Sequence, residues 1–161
     1  MKDIIERVNA GEIVVIDDFV PAQVQDDVEK ELTSDDFPWY YLDSSLGDLN
    51  QWQKEYSEKT PNVYDTPQMI HCFIDYNSIT LDELIQSNWK YVSDKIMQPD
   101  FFSGYNCLRI KANLKYRYEK SIDHCVPHSD GFGFGIVGLY YVDDSDGETV
   151  FFNEKVQRPR S

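Results

Sequence analysis

Alternation between hydrophobic and polar positions predicts a strand and then a helix near the amino terminus. The stretch GEIVVIDDFV (11–20) is a β-branched run closed by two acidic residues, which is typical of a strand that leads into a turn. In PAQVQDDVEKEL (21–32), Val24, Val28 and Leu32 recur at every fourth position. That spacing places them in one apolar stripe on a helix. We expect this helix to pack into the core through the stripe.

The middle of the chain predicts loops, one strand and one long helix. Residues 34–67 are polar, aromatic and interrupted by prolines, and they keep neither a helical nor a strand period. QMIHCFID (68–75) is strand-like. TLDELIQSNWKYVSDKIM (80–97) places its apolar residues on one helical face, and Thr80 with Glu83 matches a capping box. We expect this stretch to be the clearest helix of the protein.

The pattern changes to strands in the last third of the chain. Alternating runs flank the turn DDSDGE within GIVGLYYVDDSDGETVFF (135–152), which indicates a hairpin-type reversal. A length of 161 residues suits one domain, so we predict a single domain over 1–161. The expected fold class is α+β and mainly β, with a helix-rich part over about 1–100 and a β-rich part over about 101–161.

Charge and cysteine content restrict the classes of partner. The chain carries 29 acidic and 15 basic residues and a formal charge of −14, and an acidic surface repels phosphate backbones. We therefore expect no general nucleic-acid binding. The chain has three cysteines, and no two of them form a CxxC pair. Together with the lack of a signal-peptide pattern, this predicts reduced thiols. No apolar run approaches the roughly 20 residues of a membrane span. A cytoplasmic protein without a membrane partner is the expectation.

The segment HCVPHSDGFG (124–133) holds the candidate chemistry. In an extended backbone His128 and Asp130 point the same way from Cα atoms about 6–7 Å apart, so both side chains can reach one metal ion. On a straight strand His124 lies on the same face but about 13 Å from His128, which is too far to share the ion. We interpret His124 either as a residue that supports a ligand or as an exposed side chain.

The HxD pattern has a functional and a structural interpretation. Neighbouring imidazole and carboxylate ligands, with a third ligand from elsewhere in the chain, are typical of non-heme Fe(II) oxygenases. The remaining coordination positions are open to a cosubstrate and O₂. A three-residue pattern of this kind also arises often by chance. In the structural interpretation Asp130 ends a polar strand and begins the glycine turn DGFGFG. The residues of this segment alone favour the structural interpretation.

Four stretches in order resemble the iron(II)/2-oxoglutarate-dependent oxygenases, specifically the prolyl 4-hydroxylase-like branch common in phages and marine bacteria. They are FPWYY (37–41), RIKANL (109–114), PHSD (127–130) and LYYVDDSDGETVFF (139–152). The resemblance covers nearly the whole chain. It implies a double-stranded β-helix, or jelly roll, with N-terminal helices that support one sheet. It also implies Fe(II) and 2-oxoglutarate as cofactors, with ascorbate as an optional addition, and hydroxylation of an unactivated C–H bond on a prolyl or other peptidyl side chain.

The resemblance assigns roles to individual residues of this chain. His128 and Asp130 match the first two iron ligands of the family, and they are the predicted catalytic and metal-binding residues. Tyr118 lies near the position at which the branch places a tyrosine of the cosubstrate pocket. Tyr116 shares its face, and Asn113 belongs to a polar set that the resemblance turns toward the pocket. Core or rim packing is the alternative role for Tyr116 and Tyr118, and a solvent face is the alternative for Asn113.

The chain departs from the family pattern near its end. The family carries a second iron-binding histidine and a basic residue for 2-oxoglutarate on late strands, whereas no histidine follows His128. Lys155, Arg158 and Arg160 come too early for the basic role. Three interpretations compete: a truncated oxygenase, a fragment completed by a partner, and a degenerate relative that no longer binds iron. We favour truncation, because missing strands would leave an open sheet edge.

Two further expectations follow from that departure. An open sheet edge is an aggregation hazard, so we expect a homodimer or a rearranged strand to cover it. The alternative to an oxygenase is a truncated or degenerate jelly-roll module without catalysis, which acts in binding or assembly.

Overall fold

The structure is a computed structural model. It describes residues 2–76, 84–97, 101–102, 104–117, 122–129, 135–144 and 147–152. These residues contain four helices and six strands. The helices are α1 (Lys2–Asn9), α2 (Ala22–Leu32), α3 (Gln51–Lys59) and α4 (Lys90–Ile96). The strands are β1 (Tyr40–Leu42), β2 (Val63–Tyr64), β3 (Gln68–Tyr76), β4 (Leu84–Gln86), β5 (Arg109–Lys115) and β6 (His124–Cys125).

The chain divides into two compact units. The first consists of residues 1–38, 71–112 and 131–144, and the second of residues 39–70, 113–130 and 145–161. Strands β3 and β5 each contribute residues to both units. The prediction of a single domain over the whole chain stays a prediction.

In the first unit α2 packs against α4. Val28 of α2 and Val92 of α4 are almost completely buried, which is the outcome that the apolar stripe of α2 predicts. The two helices are also joined at Glu31, whose carboxylate accepts a 3.0 Å hydrogen bond from the hydroxyl of Tyr91 and lies 3.9 Å from Nζ of Lys95. The predicted helix over 21–32 is therefore confirmed, with Pro21 at its N-cap position.

The first unit contains a buried histidine, His71. His71, on β3, has a relative exposure of 3%. Its Nδ1 lies 2.8 Å from the carbonyl oxygen of Pro38, and its Nε2 lies 2.7 Å from Oγ of Ser87. The rings of Phe37 and Phe73 lie 4.8 and 4.9 Å from the imidazole, centre to centre. His71 thus links three separate stretches of chain through polar contacts inside an aromatic cluster.

The second unit contains a short antiparallel pair and a short parallel pair. Tyr40 and Leu42 of β1 lie opposite Ile70 and Gln68 of β3. The parallel pair joins β2 to β6. Helix α3 begins with a complete capping box: Asn50 Oδ1 accepts from the backbone N–H of Gln53, and Gln53 Oε1 accepts from the backbone N–H of Asn50.

Three predicted elements differ from the structure. The described part of 80–97 forms β4 and the short α4 rather than one helix, because residues 84–86 pair antiparallel with residues 74–76 of β3 and the chain turns at Ser87. The predicted strand in 11–20 is wrong, since none of these residues lies in a strand. The same holds for the described residues of 135–152, which form no strand. The strand predicted over 68–75 is confirmed as β3.

The fold class is mixed α+β, as predicted at that level. Small sheets, mostly antiparallel, alternate with helices along the chain, and the described residues form no closed barrel. We expected strands to be concentrated in the last third of the chain. Strands β1–β4 instead precede residue 87. No helix within the described ranges is both long enough and apolar enough to cross a membrane.

Candidate functional site

The backbone that leads to the HxD motif is held in place by β2. Val63 lies opposite His124 in the parallel pair. Just outside the pair, Asp123 donates its N–H to Asn62 O at 3.0 Å, and Val126 donates its N–H to Tyr64 O at 3.3 Å. Val63 and Val126 are each only 1% exposed, so apolar packing supports the same register. Residues 123–126 therefore form a fixed segment that ends two residues before His128.

Helix α3 contacts this segment through two side chains on one face. Gln53 donates from Nε2 to the carbonyl oxygen of Pro127 at 3.3 Å, and the hydroxyl of Tyr56 lies 3.1 Å from Nε2 of His124. Positions three apart on a helix project to the same side, which explains how both reach one stretch of chain. Because Gln53 also closes the capping box with Asn50, the side chain that starts α3 also contacts the residue before His128.

His124 is packed rather than exposed. It is half-buried, its ring centre lies 6.1 Å from that of Tyr56, and it lies 5.1 Å from that of Phe152. The interpretation of His124 as an exposed side chain is therefore wrong. His124 contacts the ring and hydroxyl of Tyr56 and the ring of Phe152. These contacts hold the strand that precedes the HxD motif.

His128, the first predicted iron ligand, has an exposed side chain. Its Nδ1 lies 3.3 Å from the carbonyl oxygen of Val126, two residues earlier. A neutral imidazole that donates from Nδ1 carries its lone pair on Nε2, which is the form that binds a metal ion. Asp130, the second predicted ligand, lies outside the described residues, so the geometry of the His128–Asp130 pair remains a prediction.

The residues predicted for the cosubstrate pocket lie at and beyond the end of β5. Asn113 and Tyr116 are exposed, with Tyr116 51% accessible, and Tyr118 lies outside the described residues. Exposure leaves Asn113 and Tyr116 accessible to a small molecule but does not distinguish a pocket from a solvent face. Their role in cosubstrate binding stays a prediction.

A lysine that the sequence interpretation did not single out lies close by. Lys115 Nζ lies 3.3 Å from Oγ1 of Thr66, a buried residue whose hydroxyl also lies 3.8 Å from Sγ of Cys125. The signal was the alternation of Arg109, Lys111, Asn113 and Lys115 along β5, which extends the polar face by one position. This places a cationic group beside the β2–β6 pair.

Next to Thr66, Asp65 forms a compact hydrogen-bonded loop with the segment 44–47. Burial by itself raises the pKa of the Asp65 carboxyl, but hydrogen bonds from the hydroxyls of Ser44 and Ser45 and from backbone N–H groups outweigh burial and hold that pKa below its usual value. The backbone N–H of Ser45 donates to Oδ1 at 2.9 Å. Asp65 therefore stays ionised and ties this loop to the end of β2.

Within the described ranges, which exclude Asp130, no three His, Cys, Asp or Glu side chains are grouped closely enough to hold a metal ion. Comparisons with protein-family models, with curated proteins and with solved structures found no match.

Proposed function

We propose that this chain is part of an Fe(II)- and 2-oxoglutarate-dependent dioxygenase that hydroxylates an unactivated C–H bond, with a prolyl or other peptidyl side chain as the substrate class. The proposal includes the jelly-roll architecture of the prolyl 4-hydroxylase-like branch and a cytoplasmic location. It rests on the order and spacing of the four stretches that resemble that branch. One structural observation supports it above the others: an exposed imidazole, His128, follows directly on a segment that is fixed from two sides.

Fixed surroundings matter because a metal ligand must be presented in one orientation. The hydrogen bonds of residues 123 and 126 to β2, together with the Gln53 contact at Pro127, restrict the backbone from which His128 projects. The 3.3 Å contact of Nδ1 with Val126 O favours the tautomer whose lone pair is on Nε2. An ordinary polar turn would need neither restriction.

Each proposed ligand has a defined part. His128 and Asp130 would hold the iron. No histidine follows His128 to serve as the third protein ligand, so water would take that position and the affinity for Fe(II) would be lower than with three protein ligands. Tyr116, Tyr118 and Asn113 would line the cosubstrate site. When bound, Fe(II) and 2-oxoglutarate supply the O₂ activation that the hydroxylation needs, while the chain binds and orients them.

Anaerobic titration with Fe(II) in the presence of 2-oxoglutarate tests the proposal. We expect the weak visible charge-transfer band of a chelated iron site, and we expect His128→Ala to abolish it. Ser129→Ala is the matched control, because Ser129 is the exposed neighbour of His128 and has no proposed role. Circular dichroism of each variant checks that the fold is unchanged.

Two outcomes would count against the dioxygenase. One is a wild-type protein that shows neither the band nor binding of Fe(II). The other is binding that persists in His128→Ala, which would show that the metal is held elsewhere. Either outcome favours the competing proposal of a jelly-roll module without catalysis, which acts in binding or assembly.

A further inference from the structure

Ser87 and the buried imidazole of His71 form a hydrogen-bonded pair in the first unit. Nε2 of His71 lies 2.7 Å from Oγ of Ser87, and Nδ1 lies 2.8 Å from the carbonyl oxygen of Pro38. A carbonyl oxygen only accepts hydrogen bonds, so Nδ1 must carry a proton and act as the donor. In a neutral imidazole Nε2 then holds the lone pair, and the Ser87 hydroxyl donates to it. The direction of both hydrogen bonds is therefore fixed.

The turn between β4 and α4 holds Ser87 in place. The N–H of Ser87 donates to Phe73 O at 2.9 Å, and the Ser87 carbonyl oxygen accepts from the N–H of Lys90 at 3.0 Å. The hydroxyl oxygen accepts from the N–H of Trp89, also at 3.0 Å. Backbone hydrogen bonds thus position both the main chain and the side chain of Ser87 in front of the imidazole.

Ser87 is the more exposed member of the pair. It is half-buried, whereas His71 is 3% exposed. Residues 86 and 88, on either side of Ser87, are exposed, so a small molecule can approach the turn from solvent. Within the described part of the chain the N–H of Asn88 makes no hydrogen bond. The N–H that directly follows a nucleophilic serine is a common donor to the oxyanion in serine hydrolases.

We infer that Ser87 is a nucleophile toward an uncharged carboxylic ester, with His71 as its general base. A hydroxyl in hydrogen-bond contact with an imidazole that a third group orients is the arrangement that activates a nucleophile. The carbonyl oxygen of Pro38 is the third group here. The inference is independent of the proposed dioxygenase activity, since it uses none of the residues assigned to iron or to 2-oxoglutarate.

The reaction is acyl transfer followed by hydrolysis. Oγ of Ser87 attacks the ester carbonyl carbon, and the hydroxyl proton moves to Nε2 of His71. The N–H of Asn88 donates to the carbonyl oxygen as negative charge develops there. The proton then passes from Nε2 to the departing alcohol oxygen as the ester C–O bond breaks, which leaves the acyl group on Oγ. A water molecule, deprotonated by the same imidazole, releases that group as a carboxylic acid.

Aromatic rings and charge around the turn restrict the ester. Trp89, two residues after Ser87, is half-buried, and its ring stacks on that of Tyr91, which is 46% exposed. These rings offer an apolar surface to an acyl or aryl group. The formal charge of −14 disfavours the approach of an anion. The expected substrate class is therefore an uncharged ester with an apolar group, of which p-nitrophenyl acetate is a member.

Acetylation of Ser87 by p-nitrophenyl acetate tests the inference, and EDTA in the buffer keeps the test separate from any iron site. Peptide mass spectrometry at successive times should place an acetyl group on Ser87 of the folded protein. We expect His71→Phe to slow this acetylation by about 100-fold or more, because the general base is removed. Ser34→Ala is the matched control: Ser34 is a half-buried serine of the same unit, and its hydroxyl donates to Glu31 O. It should leave the rate at Ser87 unchanged.

Three results would overturn the inference. They are a Ser87 that stays unmodified, acetylation at the same rate in a folded His71→Phe variant, and acetylation at the same rate in urea-unfolded protein. If His71→Phe fails to fold by circular dichroism, Ser87→Cys keeps the imidazole in place. Its thiol should react with iodoacetamide at least about tenfold faster than Cys107 of the same unit, because burial raises the pKa of the Cys107 thiol. A new thiol no more reactive than Cys107 is equally contradictory.

Discussion

The hydroxyl of Tyr56 lies 3.1 Å from Nε2 of His124, across 68 residues of sequence. This contact joins α3 to β6, and with the Gln53–Pro127 hydrogen bond it makes the helix a support for the backbone in front of His128. The support comes from side chains on one face of a short helix that buries none of its residues completely. Polar contacts, rather than a large apolar interface, therefore attach α3 at this point.

Tyr56→Phe tests the contribution of the hydroxyl to stability. The ring and its contacts remain, while one partly buried hydrogen bond is lost, so we expect the free energy of unfolding to fall by about 1 kcal/mol. Urea denaturation measures the change. Tyr41→Phe is the control, because Tyr41 is 62% exposed on β1 and should change stability very little. Equal effects of the two substitutions would contradict a specific role for the Tyr56–His124 contact.

Gln53→Glu separates the support of His128 from the stability of α3. Glutamate keeps an acceptor for the Asn50 N–H but cannot donate to Pro127 O, so the cap remains and the contact is lost. If the proposed iron site exists, we expect the affinity for Fe(II) to fall by about tenfold, as when an outer partner of a ligand is removed. Lys54→Gln makes the same turn of the helix more negative by one charge, as Gln53→Glu does, and should leave the affinity unchanged.

Asp130→Ala distinguishes the ligand from the turn interpretation of the HxD motif. As an iron ligand, Asp130 should be required for binding, and its removal should lower Fe(II) affinity by more than the roughly 100-fold seen for outer partners. The thermal unfolding midpoint should be unchanged. Asp123→Ala removes an exposed carboxylate near the motif and serves as the control. Loss of the fold in Asp130→Ala alone would favour the turn interpretation.

Asp65 makes stability depend on acid pH. Its hydrogen bonds hold the pKa of the folded carboxyl below the unfolded value, so its contribution is present above the unfolded pKa and is lost as pH falls through the folded pKa. Asp65→Asn should therefore lower stability near neutral pH, by about 1 kcal/mol after allowance for solvent screening, and much less in strong acid. Urea denaturation across acid pH, with the exposed Asp48→Asn as control, measures the difference.

His71→Phe tests whether the buried imidazole is needed for its hydrogen bonds or for its ring. Phenylalanine preserves the aromatic packing against Phe37 and Phe73 but removes the imidazole partner of Pro38 O and of Ser87 Oγ, which keeps its hydrogen bond from the Trp89 N–H. Unsatisfied buried polar groups are costly, so we expect a loss of about 1–3 kcal/mol in the free energy of unfolding. Asn88→Ala, at an exposed neighbour of Ser87, should have little effect. A neutral His71→Phe would show that packing alone is sufficient.

Local signals predicted only part of this structure. The period of α2 and the composition of β3 are properties of their own residues, and both elements form where they were expected. Residues 13–16 and 136–140 have equally strong strand composition, but a strand needs a partner, and composition does not supply one. Residues 84–86 carry a helical pattern yet are extended, because pairing with β3 overrides their local preference.

The sequence predicted the candidate residue of the site but not the residues that support it. Spacing selects His128 and its exposure agrees with the selection, but the groups that hold its backbone come from far along the chain. Gln53 contacts Pro127 across 74 residues of sequence, and nothing near Gln53 indicates a partner. Its one local signal, a glutamine three positions after Asn50, indicates only a helix start.

The double use of Gln53 has a consequence for local unfolding. Its side chain closes the first turn of α3 and also holds Pro127, so opening of that turn and release of the 124–127 segment share one hydrogen-bonding group. The two stretches should behave as a single cooperative unit in amide hydrogen exchange, in which the N–H of Gln53 and that of Val126 open together. Fraying at the start of a nine-residue helix would then loosen the backbone on which His128 depends.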